Sequence, residues 1–169
     1  MRTESTDEPQ DPLVADVLSG ERSRVLEAVW RIFSTRDPHL LDGPAAALPQ
    51  LRAAADDADL GGLLASNNAH LHHVLCRLEL YARGQCLCTA YDSLDRFDSS
   101  MFYDVEKEAA LGHVTIVDTE PVPGWIPIRI CVCTDCGRRF RVEEGDYHYS
   151  WWKWTEVEEP SDTGATERG

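Results

Sequence analysis

The chain has 169 residues, 43% of them hydrophobic, and a formal net charge of −14 from 30 acidic and 16 basic side chains. That length suits one domain, or two small modules sharing a core. No apolar run approaches the ~20 residues of a membrane span, and Met1 to Pro12 carries no apolar segment of signal-peptide type, so a cytoplasmic protein without membrane association is expected. Such acidity disfavours DNA or RNA as a general partner, because binding polyphosphate takes Lys and Arg that release counterions; a basic protein partner is the better electrostatic match.

In chain order, residues 1–12 read as a disordered acidic tail and Asp11 to Ser19 as a short helix stopped at Gly20. Glu21 to Thr35 carries Val25, Leu26, Val29, Trp30, Ile32 and Phe33 as a broad stripe at helical spacing. Asp37-Pro38 breaks it, and Leu40 and Leu41 belong to a short turn or helix before Gly43-Pro44. Leu48 to Asp56 is predicted helical, with Pro49 tolerated in the first turn. Asp59 to Leu64 reads as a short amphipathic piece. Ser66 or Asn67 then caps the strongest helix, Asn68 to Arg83, whose apolar face is Leu71, Val74, Leu75, Leu78 and Tyr81, with Gly84 as its C-terminal cap.

The period changes in the second half. Strands are predicted over His113 to Glu120, Trp125 to Val132, Arg139 to Glu143 and Tyr147 to Thr155, with turns at Pro121 to Gly124 and Glu144-Gly145-Asp146. Residues 91–111 are ambiguous, with a short helix possible at Val105 to Leu111, and residues 156–169 read as a second acidic tail. The resulting fold class is α+β: an N-terminal helical layer (13–84) packed on a C-terminal antiparallel β-sheet (85–155).

Six cysteines without a secretion signal argue for metal rather than disulfides. Cys86 and Cys88 form one close pair; Cys133 and Cys136, followed by Gly137, form another. Four sulfurs arriving as two pairs are what one structural zinc ion needs, so Cys86, Cys88, Cys133 and Cys136 are the expected ligands. The two-residue gap makes a tight knuckle, and glycine after it allows positive φ. Cys131 competes with Cys133 as a ligand, because Cys131 and Cys133 repeat the spacing of Cys86 and Cys88; the longer gap favours Cys133. Cys76 reads as a small buried residue, His113 and His148 as fallback ligands, and His70, His72 and His73 as half-exposed rim residues more than a second metal site. A catalytic ion would need an open position and a nearby acid/base group, and neither is legible. A redox role for Cys133 and Cys136 lacks a helix N-terminus to lower a thiol pKa.

Cys133 to Phe140, a cysteine knuckle between antiparallel strands, resembles half of a zinc ribbon, with Cys86 and Cys88 as a shortened other half; the resemblance covers residues 84–154. Zinc ribbons serve many processes, so it implies a metal and no single function. The helical half is similar, more distantly, to HEAT-like helix pairs, on the cue of Arg36-Asp37-Pro38 after a helix.

The aromatic run ending Trp151-Trp152-Lys153-Trp154 alternates, placing Tyr147, Tyr149 and Trp151 on one face and Trp152 and Trp154 on the other. Trp152 and Trp154, with Arg138 and Arg139 beside the knuckle, are candidate partner-binding residues; burial of both aromatic faces by residues 91–111 is the competing expectation. The sequence favours a non-enzymatic, zinc-stabilised protein-binding module, such as a bacterial immunity or antitoxin-like protein for a basic toxin. The alternatives are a zinc-ribbon nucleic-acid-binding or transcription accessory protein, and a thiol-based redox sensor or enzyme. The bacterial origin rests on arginine usage, since only Lys107 and Lys153 are lysines, as in a GC-rich genome.

Overall fold

The computed structural model describes residues 11–62, 67–92, 102–146 and 150–158. The chain divides into two compact units, Met1–Leu87 and Cys88–Gly169. The first is helical and the second is built on an antiparallel sheet, so the class is α+β. Among the described residues, no helix is long and apolar enough to cross a membrane.

The helical unit contains α1 (Pro12–Leu18), α2 (Arg22–Phe33), α3 (Pro38–Ala46), α4 (Leu48–Asp56) and α5 (Asn67–Ala82). Asp11 caps α1 by accepting from the amides of Leu13 and Val14 (2.8 and 3.1 Å), so α1 begins inside the stretch expected as tail. Asp37 caps α3 in the same way through His39 N–H (3.0 Å). The short turn expected around Leu40 is a nine-residue helix that holds Pro44 within it. Asp59 to Gly62 is not helical. Instead the Asn68 side chain accepts from Leu60 N–H (2.9 Å) and donates to the Ala58 carbonyl (2.6 Å), tying this segment to the start of α5. The expected cap at Ser66 lies outside the described residues.

Helix α5 is the centre of the unit and touches α2, α3 and α4. Leu71, Val74, Leu75 and Leu78 are buried as the periodicity predicts, whereas Tyr81 turns its hydroxyl to Asp42 (2.5 Å). The helix ends in a Schellman arrangement: Gly84 N–H reaches Tyr81 O (2.8 Å), Gln85 N–H reaches Leu80 O (3.0 Å), and Gly84 has φ +67°.

Two polar side chains on α5, Arg77 and His73, are buried. Arg77 is 1% exposed and donates through Nη2 to the Thr35 carbonyl (2.8 Å), just past the C-terminus of α2. A cation there meets unsatisfied carbonyls and the negative end of the helix dipole, and its guanidinium lies 5.5 Å from the Phe33 ring centre. His73, expected at a half-exposed rim, is fully buried with its ring 5.9 Å from Phe33.

Burial, helped by the positive charge of Arg77 and by His70, pushes the His73 pKa down to about 4. The fold therefore favours neutral imidazole, and the unfolded chain binds more protons between about pH 4 and the ordinary histidine value near 6.5. The contribution is present above about pH 6.5 and is lost as pH falls toward 4, by on the order of 3 kcal/mol. Urea unfolding of wild type and His73→Leu at about pH 7 and about pH 4.5 should show a smaller acid-induced loss in the variant; equal losses would refute the assignment.

The second unit holds a short 3₁₀ turn (Leu87–Ala90), α6 (Val105–Ala110) and strands β1 (Val114–Glu120), β2 (Ile128–Cys133), β3 (Arg139–Asp146) and β4 (Ser150–Val157). The strands form an antiparallel meander in the order β1-β2-β3-β4. β2 starts three residues later than predicted, because Pro127 lacks an amide donor and constrains Ile126. The turn predicted at Glu144-Gly145-Asp146 is instead strand, pairing with Trp152, Trp151 and Ser150. β4 also continues two residues into the expected tail.

One face of the sheet carries Cys131, Phe140, Val142 and Trp154 in register. Tyr91 and Tyr103 cover it, with the Tyr91 ring 4.3 Å from Trp154, 4.7 Å from Tyr103 and 5.6 Å from Phe140. Trp154 Nε1 donates to the Tyr103 carbonyl at 2.9 Å, which satisfies the one polar atom of a buried indole.

Candidate metal centre

The cysteine pairs converge. The sulfurs of Cys86, Cys88, Cys133 and Cys136 all lie within 4.8 Å of one another. A tetrahedral ion with bonds of about 2.3 Å sets its sulfurs about 3.8 Å apart, so the observed cluster matches a tetrathiolate site. Cys88 and Cys136 approach to 3.4 Å, far beyond the S–S bond of about 2.05 Å, and none of the six cysteines is in a disulfide.

Local structure explains the convergence. Cys133 ends β2, residues 134–136 form a turn, and the Gly137 amide donates back to Cys133 O (3.0 Å) with φ +76° at Gly137. Cys133 N–H bonds Arg138 O (2.9 Å), closing the knuckle from the other side. Thr134 fastens its back to the α6–β1 turn, with its hydroxyl reaching the carbonyls of Gly112 and His113 (2.9 and 3.0 Å). Cys88 sits in the 3₁₀ turn, and Cys86 precedes it. Cys88 and Cys133 are buried, Cys86 is half-buried and Cys136 is exposed, so one edge of the cluster faces solvent.

Arg138 supplies charge compensation. It hydrogen-bonds Cys136, which holds its guanidinium protonated more firmly than usual despite partial burial. It also donates to Thr89 Oγ1 (2.6 Å) and pairs with Glu156 (3.7 Å). Four thiolates around a divalent cation carry excess negative charge, and a fixed guanidinium offsets part of it. The sequence placed Arg138 among candidate partner-binding residues; its position immediately after the knuckle glycine was the available clue to this role.

Other expectations resolve differently. Cys131 is outside the cluster; burial, with repulsion from Glu106, pushes its thiol up to about 12, the behaviour of an inert core residue. Cys76, expected to be buried, is half-exposed. His113 is buried and engages Glu108 instead of the sulfurs (Nδ1 to Oε2 2.9 Å), and His148 lies outside the described residues. Among the described residues, His70, His72 and His73 form no second metal-type cluster.

Trp154, a candidate for partner binding, is 3% exposed and committed to the core. Trp152 is half-buried on the same face, opposite Glu144. Tyr91 and Tyr103 cover this face, whereas the competing reading expected both faces to be buried; on the other face Trp151 is half-buried. Arg139 is half-buried in β3, and Arg141 pairs with Glu120 (3.7 Å) and Glu143. No protein-family model, curated protein or solved structure matches the chain.

Proposed function

We propose that Cys86, Cys88, Cys133 and Cys136 hold one structural zinc ion in a shortened zinc ribbon, and that the chain is a non-enzymatic binding module for a basic protein. The convergence of four sulfurs within 4.8 Å carries the metal assignment. Zinc would act there as a four-coordinate cross-link, with no ligand position left for water. The net charge of −14 carries the choice of partner, through attraction to positive surfaces. A cytoplasmic immunity or antitoxin-like protein neutralising a basic toxin fits these properties. Arg138 and Arg141 are engaged by Cys136, Glu156, Glu120 and Glu143, which supports a pairing role for these two residues over phosphate binding.

In-cell cross-linking followed by reconstitution of the captured pair tests the reading. The expected partner is a basic protein whose Kd weakens by about tenfold or more as salt rises. A salt-indifferent or acidic partner, or nucleic acid bound at low salt in its place, would overturn it.

A further inference from the structure

The four cysteines of the cluster differ in their access to solvent. Cys88 and Cys133 are buried and Cys86 is half-buried, but Cys136 is exposed. It is the last residue of the knuckle turn, past the end of β2 and just before Gly137. A small oxidant therefore meets the Cys136 sulfur first.

Two neighbours set the chemistry of that sulfur. Arg138 hydrogen-bonds Cys136 and also places its charge near Cys88. The guanidinium is held there by Thr89 Oγ1 (2.6 Å) and Glu156 (3.7 Å). A cation beside a sulfur favours thiolate over thiol. It also stabilises the negative charge that builds on the leaving oxygen when a thiolate attacks a peroxide. The positive potential that a helix N-terminus supplies to other reactive thiols comes here from Arg138.

The second neighbour is the Cys88 sulfur, 3.4 Å from that of Cys136. This is shorter than the edge of about 3.8 Å in a zinc tetrathiolate, and a disulfide needs a further approach of about 1.4 Å. Cys131 is the contrast within the same sheet: it is buried outside the cluster, and burial pushes its thiol up to about 12. An accessible thiolate with a second sulfur poised to resolve it is the arrangement of a redox-sensing pair.

We propose that Cys136 is a peroxide-reactive site and that Cys88 resolves it, so that oxidation ejects the zinc. The Cys136 sulfur attacks one oxygen of hydrogen peroxide. The O–O bond breaks, and its electron pair leaves on the other oxygen as hydroxide. Cys136 is then a sulfenic acid, oxidised by two electrons. The Cys88 thiolate next attacks the Cys136 sulfur; the S–S bond forms, the S–O bond breaks and a second hydroxide leaves. Solvent protons convert both hydroxides to water, so two thiolates and one peroxide give one disulfide and two waters. Cys86 and Cys133 remain as ligands, too few for a four-coordinate structural ion, and zinc departs as the divalent cation. The inference rests on the zinc reading above and adds its regulation: because the ion supports the fold, peroxide switches the module off.

The test begins with metal analysis of the full purified chain, then adds hydrogen peroxide while a chelating dye reports free zinc. One zinc per chain should be released in step with a Cys88–Cys136 cross-link in non-reduced peptide maps. Dithiothreitol with added zinc should reverse both. Cys136→His keeps a fourth zinc ligand but lacks the reactive sulfur, so its release should be slower by about tenfold or more. Should that variant fail to hold the ion, the cross-link map of the wild-type chain decides. Arg138→Gln should slow peroxide-driven release by about tenfold without slowing passive loss to a chelator; a wild-type rate would overturn the part given to the guanidinium. Zinc that stays bound in peroxide, a cross-link that omits Cys88 or Cys136, or wild-type release from zinc-loaded Cys136→His would overturn the inference and leave the zinc reading intact. A chain without zinc before peroxide is added sinks the zinc reading instead.

Discussion

Stripping zinc from the purified chain is expected to abolish the near-UV circular dichroism of the sheet unit, which holds Trp125, Trp151, Trp152 and Trp154. Apparent zinc affinities of about 10–16 kcal/mol enter directly as folding energy in small metal domains, against a total stability of about 5–15 kcal/mol for a typical domain. The apolar core on the sheet is correspondingly small, centred on Tyr91, Tyr103, Phe140, Val142 and Trp154. Without the ion, four converging sulfurs lose the cation that draws them together, and Cys88 and Cys133 remain as buried thiols. Metal analysis should give one zinc per chain, with Cys133→Ser losing it and Cys131→Ala keeping it. A tryptophan signal unchanged after complete chelation, or loss of zinc in Cys131→Ala, would overturn the ligand assignment.

Replacement of Glu108 by alanine is expected to destabilise the sheet unit by about 3–5 kcal/mol. Glu108 Oε2 accepts from the Tyr91 hydroxyl (2.5 Å) and meets His113 Nδ1 (2.9 Å), and all three residues are buried. Truncation removes the acceptor that both groups use, and desolvated donors without it are costly. Tyr91→Phe removes one donor and leaves the carboxylate with His113, so it should cost only about 1 kcal/mol. Denaturant midpoints of the two variants, read by tryptophan fluorescence, separate these cases. A Glu108→Ala loss no larger than that of Tyr91→Phe would show that the buried pairing contributes little.

The same three residues show where sequence reading reaches its limit. Alternation and helical periodicity placed α2, α4, α5, β1 and β3 within a few residues at most boundaries, because the pattern is local and α2, α4, α5 and β3 each bury one face. The extent of β3 was missed because Glu144-Gly145-Asp146 has turn composition; cross-strand pairing with Trp151 overrides it. Residues 91–111 were ambiguous because Tyr91 and Tyr103 find partners on the distant strands β3 and β4. His73 read as a half-exposed rim residue, and nothing local announces the Phe33 ring that receives it or the Thr35 carbonyl that receives Arg77.

By itself the sequence determined the metal-type cluster, since pairs of cysteines with a glycine at the turn carry their own geometry. It also determined the acidity on which the proposed basic partner rests and the order of helices before strands. Only the tertiary structure decided between Cys131 and Cys133, and assigned Arg138 to a thiolate. It also brought Trp125 beside Trp151 while burying Trp154. These outcomes depend on register and on which face a strand turns inward, and a register is set by contacts between segments far apart in the chain.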